Sequence, residues 1–175
     1  MPPRRSIRSR LRGIGYHGFY RLPPLVRRRL VRLVAPTYTV GAVVLVQDTR
    51  DRLLLLRQPP GHGWSLPGGM LDRRERPIDC AARELAEETG LRVAADALSP
   101  ATPNAVAHWR GRWVDFVYQT SVDSDDHELA VDGGEVLEAR WHRVASLPPL
   151  TVPTARLLAH FGFGPYQGYP EVLSR

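Results

Sequence analysis

The sequence predicts an α/β fold built on a mixed sheet. Three observations carry that prediction: apolar runs with strand character, helical patterns interleaved with them, and no internal repeat. The chain has 175 residues, enough for one domain with an appendage and a core that needs no disulfide or structural metal. No apolar run approaches the roughly 20 residues that span a bilayer. Cys80 is the single cysteine, which rules out an internal disulfide framework and a Cys-rich zinc site. That count is compatible with a reducing compartment, and a cytoplasmic location is the expectation.

The elements follow in order. All 24 basic residues are arginine, and ten of them fall in residues 1–36, which hold no acid. The remaining residues carry 14 Arg against 18 Asp and Glu, so the high isoelectric point belongs to an N-terminal arm. The body is therefore not marked as a nucleic-acid binder, and no specific nucleic-acid binding is expected. Arginine to the exclusion of lysine fits a GC-rich bacterial genome. Within the arm, Leu22, Leu25, Val26, Leu30, Leu33 and Val34 recur at helical spacing up to Pro36. This basic amphipathic helix is expected to pack its stripe on the body or on a second subunit. An acidic or membrane surface is the other partner considered.

From Tyr38 the pattern changes. Tyr38–Gln47 and Arg52–Gln58 read as a strand hairpin around the turn at Asp48–Asp51. Gly41 is read as a break in the first strand. Pro59–Gly63 is a loop, and Trp64–Gly69 leads into a Gly-Gly turn. Pro77–Thr89 is a helix with proline at its first position and Gly90 as its stop. Leu91–Ala95 is expected to be a short strand, and residues 96–107 carry little pattern. Trp113–Val122 and Val136–Val144 are strands separated by an acidic loop, Val152–Phe161 is a closing helix, and the tail is loop. The expected divisions are residues 1–36 as arm and helix, 37–162 as the domain, and 163–175 as tail.

The helix over Pro77–Thr89 carries the chemistry. At 100° per residue, Glu84, Glu87 and Glu88 share an arc of about 100°. Ile78, Ala81, Ala82, Leu85 and Thr89 form a separate stripe towards the core. Like charges so spaced repel one another; Arg83 offsets part of the repulsion, and a divalent cation would offset more. Carboxylate oxygens are hard ligands, so Mg²⁺ fits, with Mn²⁺ as the alternative. Mg²⁺ takes one or two carboxylates and completes its shell with water and phosphate oxygens, which points to a phosphate-bearing substrate. The competing reading is a solvated acidic face held by arginines.

The wider spacing favours the metal. Gly69, five residues, Glu75, seven residues and Arg83-Glu84-Leu85-Ala86-Glu87-Glu88-Thr89-Gly90-Leu91 resemble the Nudix hydrolase box, G-x5-E-x7-R-E-U-x-E-E-x-G-U, at every fixed position. Trp64-Ser65-Leu66-Pro67-Gly68-Gly69 is similar to the family's lead-in, and the resemblance covers roughly residues 38–161. It implies an α/β/α sandwich around a mixed sheet, with the box as a loop–helix–loop around one or more divalent metals. It also implies hydrolysis of a nucleoside diphosphate linked to another moiety. By the same resemblance, Glu84, Glu87 and Glu88 are metal or base carboxylates, and the Gly68 carbonyl is a further ligand. Glu75 and Arg83 hold loop to helix, and Gly69 and Gly90 are turn positions. The family's base is not fixed in position: Glu84 is the first candidate here, and Glu135, from a later loop, is the second. A homodimer is a further expectation, since the family often dimerises.

Arg57 and His62 are the candidate substrate contacts, placed by the strand end and loop that precede the box. His108, Trp109, Trp113 and Phe116 are candidates for a pocket whose faces the sequence does not fix. Arg74 stands where the family often has glycine, and Arg76 stands where a helix cap is expected. Cys80 lies beside acids, which disfavours a thiolate. A catalytically silent Nudix-fold module that binds or senses nucleotides is the rival reading.

Overall fold

The computed structural model describes residues 19–108 and 112–168. The arm over residues 1–18, Trp109 and residues 169–175 of the expected tail lie outside them. The chain divides after Thr37 into two compact units.

The first unit contains helix α1, Pro24–Val34. Proline at its start suits a position whose N–H has no helical partner. Arg27 lies over the Tyr20 ring, 5.4 Å from its centre. None of the helix is buried, and Leu25, Leu33 and Val34 of the predicted stripe are well exposed. Among the described residues no helix is long and apolar enough to cross a membrane.

The second unit is a mixed sheet with a helix on each face. Its strands are β1 (Thr39–Asp48), β2 (Arg52–Arg57), β3 (Gly68–Met70), β4 (Ser99–His108), β5 (Trp113–Val122) and β6 (Glu138–Arg143). They lie in the order β4-β5-β1-β2-β6, with β3 also paired to β1. β1 and β5 run parallel, in register from Thr39 opposite Trp113 to Asp48 opposite Val122. The other ladders are antiparallel.

Alternation along β1 sorts the core. Ala42, Val44 and Val46 meet Ala81 and Leu85 of helix α2, Pro77–Thr89. Leu45 faces the other way, with Leu53, Leu55 and Val117, against Leu157 and Leu158 of helix α3, Val152–Ala159. Leu53 to Leu56 are all buried, because β2 is covered on both faces. The expected α/β/α sandwich is the observed one.

Three local readings are corrected. Leu91–Ala95 is not a strand: the chain runs irregularly into a 3₁₀ turn at Ala95–Ala97, although Leu91 itself is buried. The weakly patterned stretch after it contains β4. Its Pro100 and Pro103 obscure the strand pattern, and both are tolerated because β4 lies at the sheet edge with an irregular register between Pro100 and Ala105. Gly41 does not break β1, which pairs continuously through it.

Candidate functional site

The site forms where β3 turns into α2. Pro77 occupies the first turn of α2, and Gly90 closes it at φ 75°, a left-handed conformation natural to glycine. The missing helix cap is confirmed: Arg76 makes no side-chain cap bond and instead pairs with Asp79 at 2.5 Å. The predicted core stripe also holds, with Ala81, Leu85 and Thr89 buried.

Arg83 joins the loop to the helix. Its Nε donates to Glu75 Oε1 at 2.9 Å, and its Nη2 donates to Glu75 Oε2 at 3.0 Å. Its Nη1 donates to Glu84 Oε1 at 2.9 Å and to Glu87 Oε2 at 3.0 Å. One guanidinium thus serves three carboxylates. It holds the Glu75 carboxyl down at about 2, and the acids together push the Arg83 guanidinium up. Glu75 Oε2 also accepts from the Asp72 N–H at 2.8 Å, which ties down the loop.

Glu88 lies apart from that network and is buried. The Gly68 N–H donates to its Oε2 and the Gln58 amide to its Oε1, both at 2.8 Å. Burial pushes its carboxyl up to about 7, and the nearby charges of Glu84, Glu135 and Glu87 add to that. Glu84 is also pushed up by burial, against the pull of Arg83. Its carboxyl lies on the backbone of Gly69, where a Cβ would collide with it. Gly69 is therefore a contact requirement as well as a turn residue.

Among the described residues, no three His, Cys, Asp or Glu side chains gather closely enough to hold a metal ion as they stand. The donor chemistry fits a hard dication nonetheless: carboxylate oxygens exceed the positive charge available to them, and Glu88, the most buried acid of the box, is forced upward. The groups that could hold it are Glu84, Glu87, Glu88 and the Gly68 carbonyl. Glu87 is exposed, so it can turn without disturbing the core.

The other candidates fall around this centre. Glu135 is exposed in the loop before β6, close enough for its charge to act on Glu88. Arg57 pairs with Glu138 at 2.8 Å and sits 6.0 Å from the centre of the Trp64 ring. His62 is exposed in its loop. Cys80 is fully buried, and its thiol is pushed up to about 12 by burial and by Glu75 and Glu84, so it is no nucleophile at neutral pH.

A cavity of about 720 Å³ opens beside Gly68, Gly69 and Gln58. His108 and Trp113 line it, as does Asp115 of β5, while Arg156 and His160 come from α3 and its end. Phe116 packs with the α2 core instead. Asp115 is buried, accepts from the Trp113 indole N–H, and has His108 Nε2 at 3.0 Å from its Oδ2. Sequence reasoning missed Gln58, Asp115, Arg156 and His160. Asp115 had a signal, as the one acid within an apolar strand; the others had none.

The NUDIX domain model covers residues 37–161. The chain belongs to the NUDIX family. A CMP-5'-(N-acetyl-N-hydroxy-3-aminopropyl)phosphonate hydrolase of Streptomyces rubellomurinus is 36% identical over 118 residues, covering 58% of this chain and 50% of that protein. This chain therefore spans about half the length of that relative. An RNA pyrophosphohydrolase of Caulobacter vibrioides is 31% identical over 147 residues, covering 74% of this chain and 85% of the relative. The crystal structure of a MutT NUDIX hydrolase from Burkholderia pseudomallei superposes with a TM-score of 0.56 at 27% identity, over 68% of this chain and 94% of that one. As a NUDIX protein, the chain carries its box on β3 and α2, with the cavity alongside.

Proposed function

We propose that this NUDIX protein hydrolyses a nucleoside diphosphate linked to another moiety, by water attack on phosphorus and with a divalent cation. The observation that carries the reading is the surplus of carboxylates around Arg83 and Gly68, set at the edge of a cavity large enough for a nucleoside. Mg²⁺ or Mn²⁺ held by Glu84, Glu87, Glu88 and the Gly68 carbonyl would supply the positive charge that offsets the diphosphate oxygens.

The chain's own residues do the rest. Glu84 serves as the base: burial raises its proton affinity, which favours taking a proton, and Arg83 fixes its position. Glu135 is the alternative base, reaching the same charges from its loop. Gln58 and the Gly68 N–H hold Glu88 inward. Glu75 and Arg83 brace the loop against the helix, so the carboxylates keep their spacing. Arg57, at the end of β2, and His62, in the loop that follows, are the candidate contacts to an anionic substrate.

A panel of nucleoside triphosphates, nucleotide sugars, dinucleoside polyphosphates and ADP-ribose tests the reading with Mg²⁺, with Mn²⁺ and with chelator. Turnover that needs the metal and disappears in Glu87→Gln supports it. Nucleotide binding without turnover, in metal-loaded folded protein, would instead make the chain a silent NUDIX module.

A further inference from the structure

The box accounts for the phosphates but leaves the cavity's polar groups unexplained. Asp115 is a buried carboxylate near the start of β5, and it lines the cavity together with the apolar Val43, Leu66 and Val106. It is drawn in close by a missing side chain. A Cβ on Gly41 would stand 2.7 Å from Asp115 Oδ1 and 3.0 Å from both the Trp113 ring and the Gly69 carbonyl oxygen. Gly41 therefore lets the acid, the indole and the box glycine converge. From α3, Arg156 lines the same cavity with a guanidinium whose buried Nε has no hydrogen-bond partner.

A carboxylate offers about four acceptor positions; the Trp113 indole takes one on Oδ1, while His108 Nε2 stands 3.0 Å from Oδ2 without a hydrogen-bond partner of its own. What remains on both oxygens can accept only from N–H or O–H groups. Among the common bases, guanine alone carries two adjacent donors on one edge, its ring N1–H and its 2-amino group. Adenine and cytosine set a ring-nitrogen acceptor beside their amino group, which a carboxylate repels. Uracil and thymine flank their single N–H with two carbonyls. Guanine also carries O6 and N7, the acceptor pair that an arginine fork matches. The Trp113 ring supplies an aromatic surface in the same cavity.

We infer that the cavity is a guanine subsite, in which Asp115 accepts from the N1–H and 2-amino groups and Arg156 donates to O6 and N7. The inference rests on reading the box as the diphosphate site, because that orients the nucleoside with its base in the cavity beside Gly69. Asp115 then sets specificity without taking part in hydrolysis.

Calorimetric titration of the full chain with GMP, IMP, AMP and CMP tests it. These ligands have no diphosphate bond, so binding is read independently of turnover. GMP is expected to bind about tenfold or more tightly than AMP or CMP, the discrimination a bidentate base contact supplies. IMP, which lacks the 2-amino group, falls between. Asp115→Asn keeps the side-chain shape and abolishes the GMP preference, and leaves AMP within about twofold. Arg156→Met weakens GMP and IMP alike, since both retain O6 and N7; it also supplies the deciding variant if Asp115→Asn loses its native circular dichroism.

Equal binding of the four nucleotides, or a GMP preference that survives in folded Asp115→Asn, overturns the inference. Diphosphate hydrolysis without base preference would remove the guanine subsite and leave the proposed hydrolysis intact. GMP preference in a chain that hydrolyses nothing would do the reverse.

Discussion

Glu88 and Glu75 show how two carboxylates in one motif take opposite electrostatic settings. Glu88 is buried without a cation in contact and is pushed up to about 7; Glu75 accepts two bonds from Arg83 and is held at about 2. Glu87→Gln and Glu88→Gln are expected to lower turnover by at least about 10²-fold, more than the loss of an outer supporting partner at a metal site costs. Glu88→Gln should not lower the melting temperature of the metal-free protein, because it removes a buried charge. A fall of several degrees would show that the carboxylate is needed for folding. Glu75 gives a pH prediction. Its folded value is depressed below the ordinary 4.5, so its stabilisation is complete above that pH and is lost as pH falls towards about 2. Acid unfolding followed by circular dichroism should therefore lose part of its dependence between those values in Glu75→Gln. At this scale the sequence was highly legible for the box, because residue type and spacing there are the chemistry. It was silent on Gln58, whose role depends on the end of β2 lying beside a helix 30 positions later.

Helix α2 shows why the elements bearing the motif could be read directly. Its apolar stripe, its proline start and its glycine stop are all local, and each agrees with the structure. The stop supports a prediction. Gly90 has φ 75°, and a Cβ there would stand 3.0 Å from Ala130 Cβ, in the loop whose Ala130 N–H donates to Thr89 O at 2.8 Å. Gly90→Ala combines a left-handed alanine with a crowded loop and is expected to cost about 1–2 kcal/mol, measurable by urea unfolding. An unchanged midpoint would mean that the loop yields freely. Strand β4 shows the limit of local reading: its prolines contradict strand pattern, and only its place beside β5 at the sheet edge makes them acceptable. Leu91 is the converse case. It is apolar enough to suggest a strand, yet its burial comes from plugging the core beneath α2.

For the molecule as a whole, the layers could be inferred but the strand order could not. Periodicity says which face of an element is buried; it does not say which elements meet. The cavity belongs to that second kind of information, since its walls come from β1, β3, β4, β5 and α3. The N-terminal unit gives a prediction at this scale. Deleting residues 1–36 is expected to leave hydrolysis within about twofold of the full chain, since the box and cavity residues all follow Thr37. A large loss of turnover in that truncated chain would assign the helix a part in the site. The parallel pairing of β1 with β5 carries a consequence for assembly. The two strands are more than sixty positions apart, and the entire box is spooled out between them. The loop-closure entropy of joining them must be met before the floor of the cavity exists. A nascent chain that has emerged only as far as the box therefore holds its acidic helix without the Trp113 and Asp115 wall, and its cavity is complete only after β5 has docked.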